Sequence, residues 1–118
     1  MRLDRDHAYL LDIQEAAELL VQFTSEQDQS AFLEDRKTQS AVIYQLLLMG
    51  EVVKRLSSDL RTRHPEIPWQ LIAGMRDNLI HEYHNTDFDE VWRTVQRDIP
   101  ELQRLLQPIL ATFGNNAD

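Results

Sequence analysis

The sequence predicts an all-α protein, an antiparallel bundle of four to five helices. Its 118 residues include only three glycines and four prolines, and no run of alternating apolar and polar residues reaches the length of a strand. Apolar side chains instead recur three and four positions apart, which is the spacing of one face of an α-helix. Residues 1–114 are long enough to bury a core as one domain, and residues 115–118 are expected to form a frayed tail.

The first half of the chain predicts two long helices. An apolar stripe at helical spacing marks the first helix over about residues 2–24. A polar segment, residues 25–30, then offers several N-cap residues, and a second stripe continues to about Arg63, with Phe32 on a short separate turn. Residues 41–49 are apolar on more than one face, so we expect a partner chain to cover part of them.

Two prolines separate the second helix from the third. Residues 64–68 form a break because each proline disfavours helix in the residue before it, and Pro68 is well placed to open the next helix. The third helix is expected to run from Trp69 to about His84. It carries residues 76–85, a stretch rich in polar groups of several chemical types.

The last third of the chain predicts a fourth helix and a fifth. Asp87 followed by Glu90 resembles a capping box and marks the start of the fourth helix. Pro100 lacks a backbone donor, so a kink or a restart is expected near Ile99. The final helix is expected to end before Gly114.

Composition excludes several classes of protein. The absence of cysteine excludes disulfides, thiolate-zinc sites and cysteine nucleophiles. Twenty acidic residues against twelve basic ones give a net charge of -8, which argues against broad, sequence-blind binding of nucleic acid. The start, MRLDRDHAYL, carries charges where a secretory signal needs an apolar run, and the longest apolar stretch, residues 46–49, is too short to span a membrane. We therefore expect a cytoplasmic protein with no membrane contact.

The segment RDNLIHEYHN, residues 76–85, gathers an arginine, two histidines, carboxylates and a tyrosine within about three helical turns. The apolar stripe expected to be buried beside it consists of Leu71, Ile72, Met75 and Leu79. Arg76 and Tyr83 lie nearly one above the other at the edge of that stripe. His81 points roughly 140° away from Arg76, so an undistorted helix places these two groups poorly for holding one phosphate.

Two arrangements remove that difficulty. The helix is distorted between the two residues, or two copies of the chain pair about a two-fold axis so that their motifs line one groove. We favour a homodimer, because isologous dimers are the commonest assembly and the second helix has apolar surface to cover.

The residue types suit metal-free cleavage of RNA. Imidazole transfers protons near neutral pH, and guanidinium is a fixed cation for the charge that develops on a phosphate. The RNA supplies its own nucleophile, the 2′-hydroxyl. This chemistry requires no metal cluster, cofactor or glycine-rich phosphate loop, and the sequence contains no motif for one.

Residues 76–83 fit the pattern R-x-x-x-x-H-x-Y, and the chain resembles the HepT-like toxins of the HEPN superfamily. The similarity also includes FLEDRKTQ at 32–39, MGEVVKRL at 49–56, PW at 68–69, AGMR at 73–76 and VWRTVQ at 91–96. The octet alone is a weak signal, whereas these blocks in order make a specific match over most of residues 1–110.

The resemblance implies a homodimeric HEPN-type bundle with metal-independent endoribonuclease activity where two motifs meet. It implies Arg76 and His81 as the catalytic pair, with Asp77 at the polar position after the arginine. That position is often asparagine in relatives, so Asp77 is expected to add a negative charge near the substrate. The resemblance also implies a cognate MntA-like nucleotidyltransferase antitoxin that transfers AMP onto Tyr83 and so blocks RNA beside Arg76.

Three further residues are candidates for the interface or for support of the site: Gly50, Glu51 and Asn78. A glycine inside a long helix costs about 1 kcal/mol relative to alanine, so close packing against another helix is expected at Gly50.

Other interpretations stay open at this point. Arg76 on an isolated helix is usually a salt-bridge residue, and Tyr83 is equally well interpreted as a core tyrosine with a wet hydroxyl. The net acidity and Asp77 favour a non-catalytic helical partner, or a nucleotide-binding subunit, of a nucleotidyltransferase complex. A metal-dependent enzyme using His81, His84 and Asp77 is a third possibility.

Overall fold

The computed structural model describes the backbone of residues 2–115 and the side chains of residues 5–113. Within this part of the chain there are seven α-helices and no strand, so the all-α prediction is confirmed. The helices are α1 Arg2–Thr24, α2 Gln29–Leu33, α3 Arg36–Arg55, α4 Ser58–Arg63, α5 Trp69–His81, α6 Phe88–Arg93 and α7 Ile99–Asn115. None of them is both long and apolar enough to cross a bilayer. Of the expected tail, Asn115 still belongs to α7, and residues 116–118 lie outside the described part.

The first helix has the predicted bounds, and its end is tied to the far side of the bundle. Its buried face packs against α3 and α7 and consists of Leu10, Ile13, Ala16, Ala17 and Leu20. Thr24 is also buried; its hydroxyl donates to the Leu20 carbonyl (3.1 Å) and accepts from the Gln96 side chain (3.0 Å). Thr24 can be buried at the end of this helix because its hydroxyl is satisfied both as a donor and as an acceptor.

The second predicted helix is divided into three. Phe32 lies on the short α2, as predicted, and is fully buried. The continuous helix predicted from there to Arg63 is wrong, because the chain breaks at Ser57 between α3 and α4. The Ser57 amide and hydroxyl donate to the buried carboxylate of Asp6 on α1 (2.9 and 2.6 Å). Asp6 thereby takes the amide hydrogen that would continue α3, and Ser57 Oγ caps α4 by accepting from the Leu60 amide.

The apolar surface of residues 41–49 is mostly covered within the chain, because α3 packs between α1 and α5. The buried side chains of this segment are Val42, Ile43, Gln45, Leu46 and Met49. Tyr44 and Leu48 stay exposed. The need for a partner chain at this segment is therefore smaller than the sequence suggested.

The segment after the motif is less regular than predicted. The third helix was expected to continue to about His84, but α5 ends at His81 and a 3-10 turn follows at Tyr83–Asn85. The start of the next helix is as predicted, since the Asp87 carboxylate accepts from the Glu90 amide (3.2 Å). The Glu82 amide, which donates to the Asn78 carbonyl, ends α5 before the turn, and the Asp87 cap begins α6 after it.

A π-helical segment, Thr94–Asp98, connects α6 to α7 without a break, so the irregularity predicted near Ile99 as a kink or a restart takes the form of a widened helical turn. The Ile99 amide donates to the Thr94 carbonyl, five residues back. Pro100 has no amide hydrogen, and its ring would press on the carbonyl of residue 96 in a regular helix. The wider turn before Pro100 relieves that clash.

Candidate active site

The site is built where α3 and α5 approach each other at Gly50. A Cβ atom placed on Gly50 would lie 2.3 Å from Arg76 Cβ and 3.1 Å from the carbonyl oxygen of Ile72. Its backbone does not have a positive φ, so the glycine is needed for space and not for an unusual conformation. The close packing expected at Gly50 is thus made against α5.

Arg76 extends from this contact along α3, with about a third of its side chain exposed. Its Nε lies 3.1 Å from Glu51 Oε2, and its Nη1 donates to Asp77 Oδ1 at 3.1 Å. Among the described residues, Nη2 has no partner. Two carboxylates therefore hold the guanidinium through Nε and Nη1, and Nη2 keeps its donors for an anion.

Lys54 completes the charge cluster and is a residue that sequence reasoning missed. Its Nζ donates to Asp77 Oδ1 at 2.6 Å, the same oxygen that Arg76 uses. The two cations and the carboxylates of Glu51 and Asp77 balance, so Asp77 is not the uncompensated negative charge that the sequence suggested. The signal for Lys54 was its spacing of four from Gly50, which places it on the helix face turned towards α5.

The two cations alter the acidity of Asp77. Hydrogen bonds from Lys54 first, and then from Arg76, lower the pKa of the Asp77 carboxyl below its usual 3.8, against a smaller opposing effect of desolvation. Asp77 is consequently ionised throughout the physiological range.

His81 is exposed at the end of α5, five residues after Arg76. The helix is regular between them, so the local distortion considered for this stretch is not found. Arg76 lies against α3, whereas His81 lies on another side of α5. One chain therefore does not bring the guanidinium and the imidazole onto one phosphate.

The histidines and Asp77 do not form the metal face considered as an alternative. Between residues 5 and 113 no three histidine, aspartate or glutamate side chains are placed to share a metal ion. The Asp77 carboxylate is occupied by Lys54, and the His84 ring packs edge-on against the ring of Tyr83 with centroids 5.5 Å apart.

Tyr83 is 65% exposed, which excludes its interpretation as a core tyrosine. It lies in the 3-10 turn, where its carbonyl accepts from the Thr86 hydroxyl (3.1 Å). Its own hydroxyl has no partner among the described residues.

Comparison with known proteins identifies the family. The sequence model of the family described as Ribonuclease HepT-like matches residues 13–109. The chain belongs to the HepT-like family. It is 48% identical over 102 residues to a Thermococcus cleftensis protein named "Probable ribonuclease HepT", covering 86% of this chain and 93% of that protein. A Methanocaldococcus jannaschii protein named a "putative RNase" is 37% identical over 103 residues, covering 87% and 89%. No solved structure matches the chain.

In this HepT-like chain the buried face of α5 is rotated from the one predicted. Leu71 was expected to be buried but is 75% exposed, and Met75 is only half-buried. The buried residues of α5 are Trp69, Ile72 and Leu79. The reason is that α5 packs mainly on α3 and stands away from α6 and α7. Asn78 lines the resulting groove between α5 and α6.

Replacing Gly50 by alanine is expected to destabilise the fold by about 1–3 kcal/mol, because the added methyl overlaps Arg76 Cβ. Gly74→Ala is the matched control, since its Cβ would meet nothing within 4 Å and helix propensity favours alanine by about 1 kcal/mol. Urea unfolding of both variants measures the difference. Stabilisation by both substitutions would show that the helices do not cross this closely.

Lys54→Met is expected to raise the pKa of the Asp77 carboxyl towards 3.8, because the hydrogen bond that lowers it most is lost. A group with a lowered folded-state pKa stabilises the fold above its unfolded pKa, and that contribution is lost as the pH falls through the folded value. The stability of wild type and variant should therefore differ at neutral pH and converge in acid. Carboxyl-carbon NMR titration measures the pKa, with Glu101, which pairs with Arg104, as the internal control. An unchanged Asp77 titration would refute the role of Lys54.

Proposed function

We propose that the chain is a metal-independent endoribonuclease that acts as a homodimer, with Arg76 of one chain and His81 of the other facing the same RNA phosphate. The observation that carries this proposal is the placement of the pair: both groups reach solvent, yet the regular helix between them directs them to different sides. Two-fold pairing is the simplest way to bring such groups together. The names of the relatives support an RNA substrate.

In the proposed reaction the RNA 2′-hydroxyl attacks the adjacent phosphorus. The new bond joins O2′ to phosphorus, the bond from phosphorus to O5′ breaks, and the products are a 2′,3′-cyclic phosphate and a 5′-hydroxyl. His81 moves the proton between these oxygens, while Arg76 stabilises the charge on the phosphorane.

The charge cluster suits Arg76 to this role. Its side chain is held by Glu51 and Asp77 before substrate binds, so the guanidinium loses little freedom when a phosphate arrives. Lys54 balances Asp77, which reduces the repulsion between that carboxylate and the phosphate.

His81→Ala is expected to lower RNA cleavage by about 10²- to 10⁴-fold, because the proton-transfer group is lost, while the helical content and the dimer remain. His64→Ala, a histidine remote from the motif, is the matched control. Cleavage of a labelled single-stranded RNA in the presence of EDTA is the measurement. Full activity of His81→Ala under these conditions would reject the mechanism.

Mixed dimers test whether two chains share each site. An Arg76→Ala chain paired with a His81→Ala chain has one cleft without either group and one cleft with both. Random exchange of the two inactive variants should therefore restore about a quarter of the wild-type activity. No restoration, with exchange verified by mass, would place both groups within one chain.

We further propose that the chain is the toxin of a toxin-antitoxin pair and that Tyr83 is the acceptor for AMP from a cognate nucleotidyltransferase antitoxin. Its exposed position and accessible hydroxyl support this assignment. The modification would add a phosphate and a nucleoside to the motif.

Co-expression with a nucleotidyltransferase encoded beside the chain is expected to add AMP units to its intact mass. Peptide mapping should assign them to Tyr83, and Tyr83→Phe should remove them, because the acceptor oxygen is absent. Tyr44→Phe, another exposed tyrosine, is the matched control. An AMP unit retained by Tyr83→Phe would refute the assignment.

One observation favours a second candidate function, a non-catalytic partner or nucleotide-binding subunit of a nucleotidyltransferase complex. Arg76 is already paired with two carboxylates in a chain of net charge -8. Wild-type protein that leaves single-stranded and structured RNA intact, yet binds the transferase tightly, would favour this function over cleavage.

A further inference from the structure

Two grooves whose linings differ in charge lie beside the segment that runs from α5 to α6. One, of about 480 Å³, lies between α5 and α6 and is lined by Glu82, Asp87 and Glu90 with no basic side chain. The other, of about 450 Å³, lies between α3 and the turn after α5 and has no acidic side chain in its lining. We call the second the tyrosine groove; the lining residues that matter here are Arg36, Gln39, Tyr44, Tyr83 and His84.

Two exposed aromatic rings border the tyrosine groove. Tyr44 on α3 is 61% exposed and Tyr83 is 65% exposed, although large aromatic side chains usually bury most of their surface. Among the aromatic rings of residues 5–113, Tyr44 pairs with none, and Tyr83 pairs only with His84, in a T-shaped arrangement. Exposed ring faces at a groove are the surfaces on which unpaired bases stack.

The charge of the tyrosine groove suits a nucleotide. The chain has twenty acidic residues, and none of those whose side chains the structure describes lines this groove. Arg36 lies there without an ion-pair partner among the described side chains, in contrast to Arg76. Gln39 donates its amide hydrogens to the carbonyls of Phe32 and Leu33 (3.0 and 3.1 Å), so its amide oxygen is left to accept from a base.

We propose that the tyrosine groove binds an unpaired nucleotide of single-stranded RNA next to the scissile bond, with its base stacked on Tyr44 and its phosphate beside Arg36. The location follows from Tyr83, which comes two residues after His81 at the end of α5. The inference rests on the proposed ribonuclease function and names its substrate as single-stranded, because a base inside a duplex has no free face to stack on a protein ring.

Binding of a short, fluorescently labelled 2′-O-methyl oligonucleotide to the full chain tests the groove without any cleavage. Tyr44→Ala should weaken binding by about tenfold through the loss of one stacking surface, whereas Tyr44→Phe, which keeps the ring, should bind within about twofold of wild type. Leu11→Ala, an exposed apolar residue on α1, is the matched control and should bind like wild type. Arg36→Gln should reduce the slope of log Kd against log salt by about 0.7, the value for one phosphate contact on a single strand.

The outcomes separate this groove from the catalytic proposal. Tyr44-dependent binding by a protein that cuts no RNA would support the groove and overturn the ribonuclease function. Cleavage of RNA by a wild-type protein whose oligonucleotide affinity is unchanged in Tyr44→Ala would overturn the groove alone. Failure of the wild type to bind any single strand would also overturn it. A change of oligomeric mass in Tyr44→Ala at unchanged affinity would make this surface a protein interface instead.

Discussion

The arrangement of the polar groups depends on the close approach of α3 and α5 at Gly50. Because no side chain separates the helices there, the β-carbon of Arg76 lies against the backbone of α3, and its guanidinium reaches Glu51 one residue further along. Lys54, one helical turn beyond Gly50, then meets Asp77. Ion pairs as exposed as these are largely screened by solvent and contribute too little to position two helices. The packing of α3 on α5 therefore determines how the two helices cross, and the charged side chains pair in the positions that this crossing gives them.

Rules that consider only neighbouring residues predicted the helix bounds that contacts between neighbouring residues determine. Helical spacing, caps and prolines correctly gave α1, the separate turn at Phe32, the start of α6 and an irregularity near Ile99. The break at Ser57 was not predictable in this way, because the group that takes its amide hydrogen is Asp6, 51 residues away. Leu71 was misplaced for a related reason. The apolar stripe of a helix gives its buried face only to within one residue, and the choice depends on which neighbour it packs against.

The residues of the site likewise fall into those that a local rule predicts and those that depend on contacts between distant parts of the chain. Gly50 was found from a local rule, since a glycine in a long helix calls for a reason such as close packing. The partnership of Lys54 with Asp77 requires knowledge of the helix crossing, and the tyrosine groove requires that Tyr44 and Tyr83, 39 residues apart in the sequence, line one surface. Neither residue pair shares a helix, so no periodicity in the sequence links its members.

The distribution of charge explains how an acidic chain is suited to a polyanion. Exposed charges are screened over about 8 Å at physiological ionic strength, so a phosphate responds to the groups nearest to it more than to the net charge of -8. Those groups differ between the two grooves beside the turn at Tyr83–Asn85: acidic side chains line one, and no described acidic side chain lines the other. A nucleotide attached to Tyr83 would find its own phosphate and base favoured in the tyrosine groove, where RNA is proposed to bind. Modification and substrate would then exclude each other by occupying the same contacts, and the inhibition would need no change in the fold.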